Sequence, residues 1–314
     1  MTPLSMADGT AAVIDWARSR GETVTNWRSR LLDAPSAERI VIECMLEGEA
    51  DKVASPRTYV SKCYSDDTGG RTFAVMRAVE AGLQESPRPA LLATPAALWY
   101  DTERRCLIQQ RVDGVPLREL VDHADAARHF AAAGRALAEL HGLPLDAAPA
   151  KKLDDHLREL IRPHPVDLAA ALPQQRSRIL ALMAEMEGLE QVWREHIVAA
   201  PVHRDFHMRQ LFCGEERVWL IDWDLFAWGD PMLDVGNFMM VLETRAEGRS
   251  TVLGDAFLHG YFSGRRDYSR NRVPLYMAFN YLRRASKHYR LHLGDWAADV
   301  DRMLTHAERC LATA

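Results

Sequence analysis

The amino-acid sequence predicts an α+β chain of two lobes, a small antiparallel β-rich lobe followed by a larger, mainly helical one. Three observations carry this. Short β-branched runs bounded by turn residues fill the first third of the chain. Apolar residues at helical spacing dominate from Leu117 onward. Between them, Asp113-Gly114 breaks the chain just after a strand-like run. The boundary is placed there, near a hinge at residues 110–114, with residues 1–113 as the first lobe and residues 114–314 as the second.

Each element has its own signal. Residues 24–32, 39–47 and 57–64 read as three antiparallel strands, the last closed by the turn cluster Asp66-Asp67-Thr68-Gly69-Gly70. A helix begins near Arg71, where Phe73, Met76, Val79 and Leu83 recur on one face. Strand-like runs follow within residues 90–100 and at residues 106–110. Residues 126–141 form a helix with Phe130, Leu137 and Leu140 on one side, and residues 179–198 are a long helical stretch. Residues 210–213 and 218–221, separated by Gly214-Glu215-Glu216, suit a hairpin. Everything after Leu233 is expected to be helical.

Composition narrows the function classes. At 47% hydrophobic and 26% charged residues the chain is an ordinary globular one, which excludes collagen, coiled coil and wholesale disorder. A net charge of −5 gives no global electrostatic footprint for nucleic acid. The five cysteines (Cys44, Cys63, Cys106, Cys213 and Cys310) show no CxxC pair and read as reduced thiols of a reducing compartment. Residues 1–15 lack the apolar core of a signal peptide, and no apolar run reaches the ~18 residues of a membrane span, so a cytoplasmic location is expected. Charge is uneven: residues 235–314 hold 12 Arg/Lys against 8 Asp/Glu, a net of +4 that leaves −9 for the remainder.

The chemistry concentrates in His203-Arg204-Asp205-Phe206-His207-Met208-Arg209-Gln210, with Ile221-Asp222-Trp223-Asp224 beginning shortly after it. A polar cluster before one strand of a hairpin and an aspartate after the other would bring Asp205, Gln210 and Asp222 together. One carboxylate can orient and deprotonate a hydroxyl. A carboxylate and an amide carbonyl are hard oxygen ligands of the kind Mg²⁺ takes alongside phosphate. This is equipment for phosphoryl transfer, where catalysis is mainly positioning and charge neutralisation. A zinc site on His203 and His207 lacks a convincing third ligand.

These motifs resemble the aminoglycoside phosphotransferase and choline kinase-like family of small-molecule kinases, which has a protein-kinase-like fold. His203-Arg204-Asp205 with Gln210 is similar to that family's catalytic loop H-x-D-x-x-x-x-N. Ile221-Asp222-Trp223 is similar to its metal-binding segment, and Gly229-Asp230-Pro231-Met232-Leu233-Asp234 to its G-D-P-x-x-D motif. Residues 107–114 with Pro116-Leu117 resemble the hinge, and Ala136-Leu137-Ala138-Glu139-Leu140-His141 resembles the L-A-x-L-H helix end. The motifs stand in the family's order over roughly residues 24 to 300.

The resemblance implies roles. Asp205 would be the catalytic base; Asp222, with Gln210, would hold Mg²⁺. Lys62 would contact the nucleotide phosphates and Glu80 would orient it. Gln110 and Val112 of the hinge would belong to the nucleotide site. ATP is the implied donor, with GTP open. His203 would brace the catalytic loop by hydrogen bonding, and Asp230 and Asp234 would cap or brace the helical lobe. Three departures stand out. Gln210 replaces the usual Asn. The turn at residues 33–38 contains no glycine, so its backbone cannot approach phosphates as freely as a Gly-rich loop. No activation segment follows Asp222, which disfavours a protein substrate. The first two keep a nucleotide-binding pseudokinase as the alternative. The basic, aromatic run at residues 281–290 is a solvated helix face or, if it walls the acceptor cleft, favours a neutral or anionic sugar-type acceptor over a polycationic one.

Overall fold

The computed structural model describes residues 4–34, 36–48, 57–85, 90–246, 248–265, 267–292 and 294–314. The chain divides into two compact units, residues 1–115 with 212–224, and residues 116–211 with 225–314. The sequence-level boundary at 113/114 kept residues 212–224 with the second lobe, whereas in the structure they cluster with the first. The reason is strand pairing: Val218–Leu220 runs parallel to Leu92–Ala93, with Val218 opposite Leu92.

The first unit opens with helix α1 (Met6–Ser19), followed by β1 (Asn26–Leu31), β2 (Arg39–Glu47), β3 (Arg57–Tyr64), helix α2 (Thr68–Gln84), β4 (Leu92–Ala93), β5 (Ala97–Asp101) and β6 (Cys106–Gln110). Five strands make an antiparallel sheet in the order β1-β2-β3-β6-β5. Helix α1 is not among the expected elements. Its signals were present: Ser5 caps it by accepting the Asp8 amide at 3.1 Å, and Val13, Trp16 and Ala17 lie on one face. That face packs with Ile42, Leu46, Cys63 and Ile108 into the sheet's buried core. Pro35, within the glycine-free turn, lies outside the described residues; Ser36 Oγ accepts the Arg39 amide at 2.9 Å and so closes the entry to β2.

The cysteine expectation is corrected. Cys63 and Cys106 are joined by a disulfide, with Cα atoms 4.1 Å apart, while Cys44, Cys213 and Cys310 are free. The two residues are direct register partners on β3 and β6, so pairing rather than sequence spacing brings the thiols together. Unreduced protein unfolded in guanidinium is expected to titrate three thiols; five would show both cysteines reduced.

The second unit is helical: α3 (Ala126–Leu140), α4 (Leu153–Leu160), α5 (Pro165–Ala171), α6 (Arg176–Trp193), α7 (Met232–Arg245), α8 (Ser250–Gly264), α9 (Val273–Leu291) and α10 (Trp296–Leu311). Two short strands, Ala200–Val202 and Ala227–Gly229, pair antiparallel beside the catalytic-loop sequence. Helices α3 and α8 approach closely because Gly260 and Gly134 carry no side chain: a Cβ on Gly260 would fall 2.1 Å from the Ala131 carbonyl oxygen. Phe206, inside the polar motif, packs on Phe238 and Phe257 at centroid distances of 5.7 and 6.3 Å. That aromatic anchor ties the loop to the core. Among the described residues, no helix is long and apolar enough to cross a membrane.

Candidate active site

The first unit assembles a charged cluster on one face of its sheet. Lys62 and Tyr64 alternate along β3 and therefore share a face, and Arg39 lies directly opposite Tyr64 in the register. Lys62 Nζ, only 5% exposed as a residue, donates to Asp222 Oδ1 at 2.7 Å. Arg39 donates to the same oxygen at 2.7 Å and also pairs with Asp224. Asp224 Oδ1 further accepts from the Tyr64 hydroxyl at 2.8 Å and the Thr72 hydroxyl at 3.2 Å. Two carboxylates thus meet two cations, the arrangement that partly buried charge requires. Burial opposes the charge on Arg39, but Asp222 and Asp224 outweigh it and raise its pKa. Burial likewise raises the Tyr64 pKa, and Asp224 adds to the shift.

Asp222 has φ 70°, in the left-handed region that a non-glycine residue rarely adopts. Arg204, beside Asp205 in the second unit, has φ 66°. Such conformations cost of order 1–3 kcal/mol and persist where surrounding contacts hold them, often at functional sites. Gly114, after the hinge stretch, has φ 153°, and a Cβ there would stand 3.0 Å from the Cys213 carbonyl oxygen.

Glu80 is corrected. Its carboxylate pairs with Arg77 one turn away on α2 at 3.3 Å, and Lys62 finds Asp222 instead. The buried face of α2 is Thr72, Met76 and Val79, so Thr72 is the residue that this helix brings to the cluster. Gln110 ends β6 opposite Tyr59; its amide bonds the Ala96 carbonyl at 2.9 Å, and its side-chain oxygen accepts the Ala96 amide at 3.4 Å. Val112 is half-buried, with its carbonyl accepting from Arg111 at 3.4 Å. Arg39, Tyr64 and Thr72 were not picked out from the sequence. The two-residue spacing of Lys62 and Tyr64 was the available clue, but cross-strand register was needed to add Arg39.

In the second unit the loop carrying Asp205 is built on Asp234. That carboxylate, 0% exposed, accepts the His203 and Arg204 backbone amides, each at 2.7 Å. His141 Nε2 lies 3.2 Å from the same carboxylate, and its Nδ1 lies 2.8 Å from the Tyr261 hydroxyl. Burial lowers the His141 pKa, so the ring is neutral. A neutral ring can meet a carboxylate only through N–H, which assigns the proton to Nε2 and makes Nδ1 the acceptor of Tyr261. Asn237 Nδ2 donates to the Phe206 carbonyl at 3.1 Å, and Arg204 pairs with Glu159 at 2.7 Å. Asp230 serves elsewhere, receiving Arg272 at 2.6 Å and the Met232 amide at the start of α7. His203 is fully buried against Phe206, and it is its backbone amide that ties to Asp234.

Asp205 itself is half-buried and stands at the centre of a polar group. Arg283 donates to Asp205 Oδ1 at 3.1 Å and to the Arg204 carbonyl at 3.1 Å. His207 Nε2 and Gln210 Nε2 are each 3.5 Å from Asp205 Oδ2. Burial lowers the His207 pKa. Gln210 therefore stands beside the base. Among the described residues, no three His, Cys, Asp or Glu side chains converge as a metal site. The carboxylate oxygens of Asp222 and Asp224 are nonetheless hard donors of the type Mg²⁺ takes singly or in pairs, completing its shell from phosphate and water. That donor set fits magnesium with a nucleotide.

The sequence profile of the phosphotransferase enzyme family matches residues 53–272. No curated protein matches the chain. Among solved structures, a choline/ethanolamine kinase family protein from Mesorhizobium loti superposes with a TM-score of 0.62 at 16% identity, covering 98% of this chain and 99% of that one. Choline kinase from Cryptosporidium parvum Iowa II gives a TM-score of 0.66 at 11% identity, with 95% of each chain covered. A spectinomycin phosphotransferase in complex with ADP and spectinomycin gives 0.58 at 11% identity, with 96% of each covered. These likenesses show a protein-kinase-like fold, and the family match spans most of the chain: the protein belongs to the phosphotransferase enzyme family.

Proposed function

We propose that the protein transfers the γ-phosphoryl group of ATP to a hydroxyl of a small molecule in the cytoplasm, with Mg²⁺ as cofactor. The observation that carries this reading is the mounting of Asp205. A fully buried carboxylate, Asp234, holds the two backbone amides preceding it, and the Asp205 side chain is left half-open to solvent. A carboxylate so presented can accept a hydrogen bond from an acceptor hydroxyl, orient its lone pair for in-line attack and take its proton. Arg283 holds that carboxylate in place.

Lys62 and Arg39 are the cations that meet the nucleotide phosphates, and Asp222 would hold the metal, which would supply charge neutralisation. Gln110 and Val112 line the nucleotide site. Nucleotide use draws support from the spectinomycin phosphotransferase relative, whose structure contains ADP. The acceptor is taken as neutral or anionic and sugar-type, because residues 235–314 are net positive.

The test is an ATP-consumption screen with Mg²⁺ over sugars, sugar phosphates, amino alcohols and aminoglycosides, paired with calorimetry of nucleotide binding to Asp222→Ala. Turnover with at least one acceptor is expected, and Asp222→Ala is expected to lose the magnesium-dependent part of nucleotide affinity. Wild-type affinity in that variant would overturn the role of Asp222. Nucleotide binding without turnover on any acceptor would favour a binding module.

A further inference from the structure

Helix α9 carries Arg283, Arg284, Lys287 and Arg290 and no acidic residue. Arg283 and Lys287 are four residues apart and therefore share a face, one turn or about 6 Å along the axis. Arg283 is the residue bonded to Asp205, so Lys287 follows the base by one helical turn. Arg209 is contributed from the catalytic loop itself, four residues after Asp205. Neither Lys287 nor Arg209 is ion-paired among the described residues, and both are exposed. The nearby acid is Asp205, which Arg283 already engages. Partial burial depresses the Lys287 pKa, with Arg283, Arg284 and Arg209 adding to the shift against the pull of Asp205. Several cations thus face one carboxylate, an excess of positive charge that an incoming anion relieves.

Resting on the phosphotransferase reading of Asp205, we propose that the acceptor bears an anionic group, a phosphate monoester or a carboxylate, held by Lys287 and Arg209 while its hydroxyl meets Asp205. Lys287 stands one turn, about 6 Å of axial rise, beyond the residue that holds the base. A hydroxyl and an anion separated by a short carbon chain fit that interval. Cationic acceptors are repelled by the same side chains.

The test uses the full chain and a set of acceptors sharing one carbon skeleton: a hexitol, its phosphate monoester, the corresponding aldonate and the corresponding amino alcohol. Binding is measured by calorimetry without nucleotide, and ATP consumption separately. One of the anions is expected to bind at least about tenfold tighter than the hexitol, as one charge-assisted contact allows. The amino alcohol is expected to bind weakest. The double variant Lys287→Gln with Arg209→Gln is expected to erase the anion's advantage while keeping the melting temperature, the hexitol affinity and the ATP affinity. The phosphate and carboxylate arms identify which anion is read.

Charge-independent binding, strongest binding of the amine, or no binding across the set overturns the inference. Inorganic phosphate binding as tightly as the monoester also overturns it, since the site would then take a free anion. A double variant that weakens ATP alone reassigns the cations to the transferred phosphoryl group. If an anion binds without ATP consumption, the kinase reading fails while the anion site stands. If a neutral or cationic acceptor is phosphorylated best, the kinase reading stands and this inference falls.

Discussion

Asp205→Asn is expected to lower kcat by about a thousandfold, within the range that general-base catalysis supplies, and to leave the fold intact. Asparagine keeps the shape of the side chain and an oxygen for Arg283, but it cannot take the hydroxyl proton. The stability cost is small because the Asp205–Arg283 pair is partly solvated; such pairs contribute about 1 kcal/mol or less. In a chain of 314 residues that corresponds to a melting shift of about 1–2 °C. Kinetics and melting measured on the same preparation separate the two effects. Turnover within tenfold of wild type would remove Asp205 from the role of base. A collapse in melting temperature would instead mean that the carboxylate is structural.

Asp234→Ala is expected to cost about 3–5 kcal/mol of stability, since hydrogen bonds to a charged acceptor are strong and their loss strands buried donors. The carboxylate is fully buried and serves the His203 amide, the Arg204 amide and His141 together. Removing it leaves two backbone N–H groups without acceptors in the interior. It also releases Arg204 from the contacts that sustain its left-handed backbone. Asp234→Asn retains one carbonyl oxygen and is expected to recover part of the loss. The urea midpoint reports stability, and kcat measured below the transition reports loop position. A loss under about 1 kcal/mol for the alanine variant would contradict the bracing role.

Much of this protein was legible in the sequence because the signals were local. The strand runs at residues 39–47 and 57–64 reappear as β2 and β3, since β-branched alternation bounded by turn residues is written in consecutive positions. The helical face of Phe130 and Leu137 became α3 for the same reason. The polar motif around Asp205 was recognisable because its residues are neighbours in the chain. Helix α1 was not expected, although its capping serine and apolar face are local signals; its packing against β2, β3 and β6 is what secures it.

What tertiary structure alone decided are contacts between residues far apart in sequence. Cross-strand register joined Cys63 to Cys106 and set Arg39 opposite Tyr64. Packing gave Lys62 to Asp222, 160 residues away, and left Glu80 with Arg77 on its own helix. The rotation of α2 about its axis fixed that outcome: burying Thr72, Met76 and Val79 turned Thr72 to Asp224 and kept Glu80 at the edge. Asp234 was readable as a bracing residue, but its two targets, the amides of His203 and Arg204, were not. A sequence records which side chains can pair; the register of the sheet and the faces that helices bury determine which of them meet.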